Sequence, residues 1–218
     1  MDTYVIGITG ASGAPYARRV LQGLLAAGHH VKLVVSPAGD QVVRIELGLR
    51  LSGALRARES QWREYLLEGA GEAARASGTL ELLAHRDFAA SISSGSYPFA
   101  GMAIVPCSMG TLARIATGVS TNLIERAADV ALKEKRRLVL APRETPLSVI
   151  HLRNMLTLAE AGAEILPAMP GFYHQPRSID DLVDGIAGRV LERLGVATDL
   201  YKRWQGDPLT RMARVTEE

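Results

Sequence analysis

The sequence predicts an α/β fold: a mostly parallel sheet covered by helices on both faces, a three-layer sandwich. Three observations carry this. Continuous apolar runs such as "YVIGI" and "LVLA" have the pattern of strands buried on both sides. Amphipathic helical stretches separate them, so strand and helix alternate along the chain. The runs end in loops rich in Gly, Ser, Thr and Pro, as strand-to-helix turns do.

Taken in order, strands are expected at Tyr4–Thr9, Val31–Ser36, Gly101–Pro106, Arg137–Ala141 and Ala163–Ala168. Weaker strand patterns lie near Leu80–Ala84 and Phe88–Ala90. Helical periodicity covers Ala14–Ala27, Ala38–Leu47, Gln61–Ala76, a pair within Met109–Lys135, Leu147–Glu160 and Ile179–Leu194. Residues 48–78 are polar and rich in Arg and Glu, which reads as an excursion from the sheet. One domain over residues 1–196 is expected. The aperiodic tail, 197–218, is expected to pack over the site or a neighbouring subunit.

Composition narrows the function class. The chain has 218 residues, 47% hydrophobic and 22% charged, ordinary for one soluble domain with a real core. A net charge of +2 argues against a general nucleic-acid or membrane-surface binder. The single Cys107 excludes an internal disulfide framework and suits a reducing compartment. The N-terminus enters a strand directly, without a basic leader, and no apolar run approaches the roughly 20 residues of a membrane span. A cytoplasmic protein is expected.

Ligands of such sheets bind outside the carboxyl ends of the strands. Those ends read "TGASGAP", "SPAG", "PCSMGT", "PRETP" and "PAMPGFYHQP". Gly10-Ala11-Ser12-Gly13 suits a tight turn whose following helix start favours an anion, although a plain turn explains it too. No Gly-Lys-Ser/Thr follows, and Ser36 stands where a ribose-binding acid would be, so a phosphate or flavin edge fits better than a dinucleotide. Ser108-Met109-Gly110-Thr111 repeats the arrangement, and together the two loops suggest a mononucleotide cradle. Cys107 lacks a local histidine partner and reads as a buried small residue.

Arg143 and Glu144 stand between two prolines at a strand mouth. The guanidinium offers a planar fork for a phosphate or carbonyl edge. A carboxyl held near a phosphate is pushed towards its protonated form, which suits proton transfer. An Arg–Glu pair that merely fixes the loop is the plain alternative. Arg126 and Lys133 could serve a site, a subunit boundary or only a solvated helix face. Trp204 is a candidate aromatic anchor in the tail.

Together, "GITGASGAPYARR", "PCSMGTLARIATG", "NLIERAADVALKEKRRLVLAPRETPLSVIHLRNM" and "MPGFYHQPRSIDDLVDGIAGRVLERLG" resemble the UbiX family of flavin prenyltransferases over most of residues 4–195. The resemblance implies a Rossmann-like fold of flavoprotein type and assembly as homododecamers built from trimers. It implies a metal-independent prenyltransferase that joins the dimethylallyl group of dimethylallyl monophosphate to N5 and C6 of reduced FMN. The product, prenylated FMN, serves UbiD-type decarboxylases. By the same resemblance, Gly10, Ala11, Ser12, Ser36, Ser108, Met109, Gly110, Thr111 and Arg143 hold FMN, while Tyr173 and Arg189 hold the dimethylallyl phosphate. Lys133, with Glu144 and Arg126, completes a phosphate pocket assembled across subunits. Glu46 matches a carboxylate near the flavin, and Trp204 an aromatic over the prenyl group. Two rivals stand beside this reading. A flavin-dependent cysteine-type decarboxylase would need a helix histidine and an Asn-containing clamp that are not recognisable here. A non-catalytic FMN carrier would have no use for a phosphate pocket.

Overall fold

The computed structural model describes residues 1–68, 78–204 and 206. Its strands are β1 (Thr3–Ile8), β2 (His30–Val35), β3 (Thr79–Leu83), β4 (Gly101–Cys107), β5 (Arg137–Pro142) and β6 (Glu164–Ile165). The α-helices among the described residues are α1 (Ala14–Ala26), α2 (Pro37–Leu47), α3 (Leu55–Leu67), α4 (Met109–Ala116), α5 (Leu123–Lys133), α6 (Val149–Glu160) and α7 (Ile179–Leu194). They cover a six-stranded sheet of order β3-β2-β1-β4-β5-β6. Every pairing is parallel.

The apolar runs become strands because both sheet faces are covered. All seven residues of β4 are buried. One core joins α1, α3 and α7 to the sheet through Leu21, Leu24, Trp62, Leu66, Val190 and Leu194. The other packs α4, α5 and α6 on the opposite face through Leu112, Ile124, Ala127 and Leu158. Polar caps start five of these seven helices. Ser36, Ser108, Asn122, Ser148 and Ser178 each accept a backbone N–H from the third helical residue. Gly195, at φ 87, closes α7 in the left-handed conformation that glycine tolerates.

Three expectations change. Phe88–Ala90 forms turns, because the Asp87 carboxylate takes the Ala89 N–H at 3.0 Å and bends the chain out of any ladder. Segment 48–78 is more than an excursion. It contributes α3, whose Trp62 and Leu66, one turn apart, are buried in the core. That helix begins at Leu55, earlier than expected, and the rest of its expected span, to Ala76, runs into residues outside the described ones. The strand expected over Ala163–Ala168 shortens to β6, although Leu166 and Ala168 still donate to Leu140 and Pro142 at 2.8 and 2.9 Å.

Candidate active site

Sequence order reverses between neighbours β1 and β4, so the crevice at their carboxyl ends is the switch point where ligands bind in open α/β sheets. The loop Gly10–Gly13 and the capped first turn of α4, Ser108–Thr111, flank it. Thr9, buried at the end of β1, bolts them together. Its Oγ1 donates to the Pro106 carbonyl at 2.8 Å and accepts the Ser108 N–H at 2.7 Å. Sequence reasoning missed this role, although a hydroxyl at the mouth of an apolar strand was the available signal. Gly10 is needed for close approach, since a Cβ there would lie 2.6 Å from that of Ala38. Gly13 takes φ +130.

The anion place at the start of α1 is already taken. Glu46, in the last turn of α2, accepts the Gly13 and Ala14 N–H groups at 2.9 and 2.8 Å. A carboxylate there satisfies two orphan donors and complements the helix dipole. Glu46 thereby fixes the loop carrying Ala11 and Ser12. Tyr16 lies beside it, its hydroxyl pKa raised by burial, lowered somewhat by Arg143 and raised by Glu46.

Across the crevice, Ser108 caps α4 and donates to Thr111 Oγ1 at 3.0 Å. Arg114 Nη2 also donates to Thr111 Oγ1, at 3.4 Å. Arg114 is anchored in turn by Glu125, a fully buried carboxylate 2.5 Å from its Nε. Burial pushes the Glu125 carboxyl up, but hydrogen bonds from Arg114, Thr121 and Asn122 outweigh it and hold its pKa below the ordinary value. Met109 is buried in the core, so any ligand contact there falls to its backbone. Cys107 is wholly buried and its thiol is pushed up to about 12, which leaves it protonated and unreactive.

Ser36 follows β2, its hydroxyl capping α2 through the Gly39 N–H at 3.0 Å. At the mouth of β5, Arg143 reaches over the first loop, with Nε donating to the Ser12 carbonyl at 3.3 Å. Glu144 folds onto its own turn and accepts the Thr145 N–H at 3.1 Å. The crevice is therefore edged by hydroxyls at Ser36, Ser108 and Thr111, the glycine turn at Gly10, the first turn of α4 at Gly110, and one guanidinium. That donor set fits a mononucleotide with one phosphate and a carbonyl-bearing ring edge, as in FMN.

The remaining candidates fall into two further clusters. Tyr173 and Trp204 meet edge to face, their centroids 6.1 Å apart at 85°. Arg189 stands on α7, about 15 Å along the axis from its first residue, Ile179, at 1.5 Å per residue. There Nη1 donates to Glu192 at 2.9 Å. Lys133 and Arg126 lie on α5. Arg126 donates to the Ser93 carbonyl at 2.9 Å and pairs with Asp129 at 2.5 Å. Lys133 pairs with Glu134, its Nζ 2.6 Å from where a Cβ at Gly95 would stand. Lys133 closes α5 just before β5 begins, so it occupies the edge opposite Glu144. The six residues of β5, at about 3.3 Å each, put roughly 20 Å between those edges. One chain therefore does not bring Lys133 to Glu144. Among the described residues, no group of three or more His, Cys, Asp or Glu is placed to hold a metal ion.

A family model described as Flavoprotein matches residues 2–191. The flavin prenyltransferase UbiX of Halalkalibacterium halodurans is 49% identical over 201 residues, covering 92% of each chain. That of Pseudomonas aeruginosa is 47% identical over 203 residues, 93% of this chain and 94% of its own. Among solved structures, AnUbiX (PadA1) in complex with FMN and dimethylallyl pyrophosphate matches with TM-score 0.80 at 38% identity, covering 94% of this chain and 98% of that one. A dodecameric FMN-dependent UbiX-like decarboxylase from Escherichia coli O157:H7 matches with TM-score 0.78 at 38% identity, covering 94% and 100%.

Proposed function

The chain belongs to the UbiX family of flavin prenyltransferases, and we propose on that footing that it transfers the dimethylallyl group of dimethylallyl monophosphate to N5 and C6 of reduced FMN. The observation that carries the reading is Arg143 reaching across the crevice to Ser12, with Glu144 the next residue at the same strand mouth.

When bound, the reduced flavin supplies the nucleophilic nitrogen and the ring carbon that the five-carbon unit bridges. The chain supplies the rest. Gly10, Ala11, Ser12, Ser36, Ser108, Gly110 and Thr111, with the Met109 backbone, seat the mononucleotide, and Arg143 faces its carbonyl edge. Glu46 holds the first loop in shape. As the carbon–oxygen bond breaks, positive charge grows on the allyl group, and the faces of Tyr173 and Trp204 stabilise it. Arg189, Lys133 and Arg126 offset the charge on the departing phosphate by preorganised electrostatics. Ring closure onto the flavin would need one proton delivered to the alkene of the attached unit and one removed from the ring carbon, and Glu144, with the released phosphate, would relay them.

Lys133 lies at the wrong edge of its own chain for this pocket, so the reading requires neighbouring copies to supply it. An exposed apolar face on α6, formed by Val149, Leu152 and Leu156, supports such assembly. A homododecamer in the cytoplasm, passing prenylated FMN to a UbiD-type decarboxylase, completes the proposal. No helix among the described residues is long and apolar enough to cross a membrane. A cysteine-type decarboxylase gains little here, because His151, the histidine in a described helix, serves as a cap, Nδ1 accepting the Ser148 N–H at 3.2 Å. Glu144→Gln tests the assignment: FMN binding is retained while prenylation falls at least about a hundredfold, within the usual reach of acid–base catalysis. Unchanged turnover in that variant contradicts the proton role.

A further inference from the structure

Glu192 looks like a solvent-face charge in "VLERLG", yet its side chain is only 14% exposed and three groups converge on it. Arg189 Nη1 donates to Oε2 at 2.9 Å, and the Tyr201 hydroxyl donates to the same oxygen at 2.8 Å. Arg203 Nη2 lies 2.6 Å from Oε1. One carboxylate thus ties an α7 arginine to two residues of the C-terminal tail. The fit is close: a Cβ at Gly188 would stand 2.5 Å from the Tyr201 ring, so glycine there lets the ring lie against the helix. Three residues after Tyr201, Trp204 meets Tyr173 edge to face.

We propose that Glu192 is a positioning residue for the leaving phosphate, clasping Arg189 and the Tyr201–Trp204 segment so that the phosphate-binding guanidinium and the aromatic pair are set together. The proposal rests on the reading of Arg189, Tyr173 and Trp204 given above. A guanidinium has five N–H donors. The bond to Glu192 uses Nη1 and fixes the plane, while the Arg189 side chain stays 52% exposed. Two guanidinium groups against one carboxylate leave a net positive charge, suited to a phosphate dianion. Tyr201 contributes the neutral hydroxyl that orders the tail without cancelling that charge.

The same geometry permits an opposite role, in which Glu192 competes with phosphate for Arg189, and the two differ in sign. Glu192→Gln and the milder Tyr201→Phe are compared with the parent as FMN-loaded, full-length protein. Positioning predicts that both raise KM for dimethylallyl monophosphate about tenfold, the loss expected for a hydrogen bond to a charged group, with kcat and FMN affinity changed less than about threefold. Both variants also make Trp204 fluorescence more accessible to acrylamide, against the fully buried Trp62 as internal reference. Inorganic phosphate, titrated by calorimetry, binds correspondingly more weakly. A lowered KM or tighter phosphate binding overturns the proposal in favour of competition. Unchanged KM, phosphate affinity and quenching overturn the clasp altogether. If the parent forms no prenylated flavin, the functional reading fails by itself. Weaker phosphate binding with raised quenching then still sustains the clasp, and absence of phosphate binding in the parent overturns it.

Discussion

Glu46 Oε2 lies 2.9 Å from the Gly13 N–H, so the last turn of α2 holds the turn that ends β1. The bond, shared with Ala14, turns a glycine-rich loop into a fixed wall of the crevice. It also places a negative charge where a ligand phosphate would otherwise sit, which directs a phosphate elsewhere along the edge.

Glu46→Ala removes two charge-assisted hydrogen bonds from a half-buried helix start. FMN affinity should fall by about ten- to a hundredfold, equivalent to about 1.5–3 kcal/mol, while Glu46→Gln, which keeps an acceptor, loses less. Quenching of flavin fluorescence on titration measures both. Equal affinity in all three proteins would remove Glu46 from the account.

Glu125 predicts an acid limb. Its folded pKa lies below the ordinary 4.5 that serves as the unfolded reference. Between those values the unfolded chain binds more protons, so stability rises with pH, is fully present above about 4.5, and is lost as pH falls through the folded pKa. Glu125→Gln should be less stable than the parent at pH 7 by about 1–3 kcal/mol. The gap should narrow below pH 4.5, as read by urea denaturation across pH. A constant gap would show that this carboxylate does not titrate as argued.

Assembly is testable on α6. Val149, Leu152 and Leu156 recur at helical spacing and are each at least half exposed, a costly face for a free subunit. Leu156→Asp should shift sedimentation towards smaller species and abolish prenylation while leaving the far-ultraviolet circular dichroism unchanged. An intact large assembly in that variant would place the subunit contacts elsewhere.

Much of the fold was legible because buried parallel strands write themselves as unbroken apolar runs, and "YVIGI" and "LVLA" became β1 and most of β5. Edges were harder. At β6, a two-residue ladder runs at once into loop residues and prolines, and Asp87 overrides the apolar look of Phe88–Ala90 with a local hydrogen bond. Within the site, residues at strand ends such as Ser12, Ser108 and Arg143 were visible from their position. Glu192 and Thr9 were not, because their roles come from partners 9 and 97 positions away. Lys133 shows the converse: the sequence names it, yet its own chain puts it at the far edge of the sheet.

Anaerobic incubation of the purified protein with reduced FMN and dimethylallyl monophosphate, followed by mass spectrometry of the released flavin, shows whether the protein prenylates FMN. A parallel incubation with the pyrophosphate tests which leaving group the pocket takes. The expected product is FMN heavier by one C5H8 unit, formed with the monophosphate and without added metal. Unmodified FMN from both incubations, on protein shown to have bound the flavin, would contradict it.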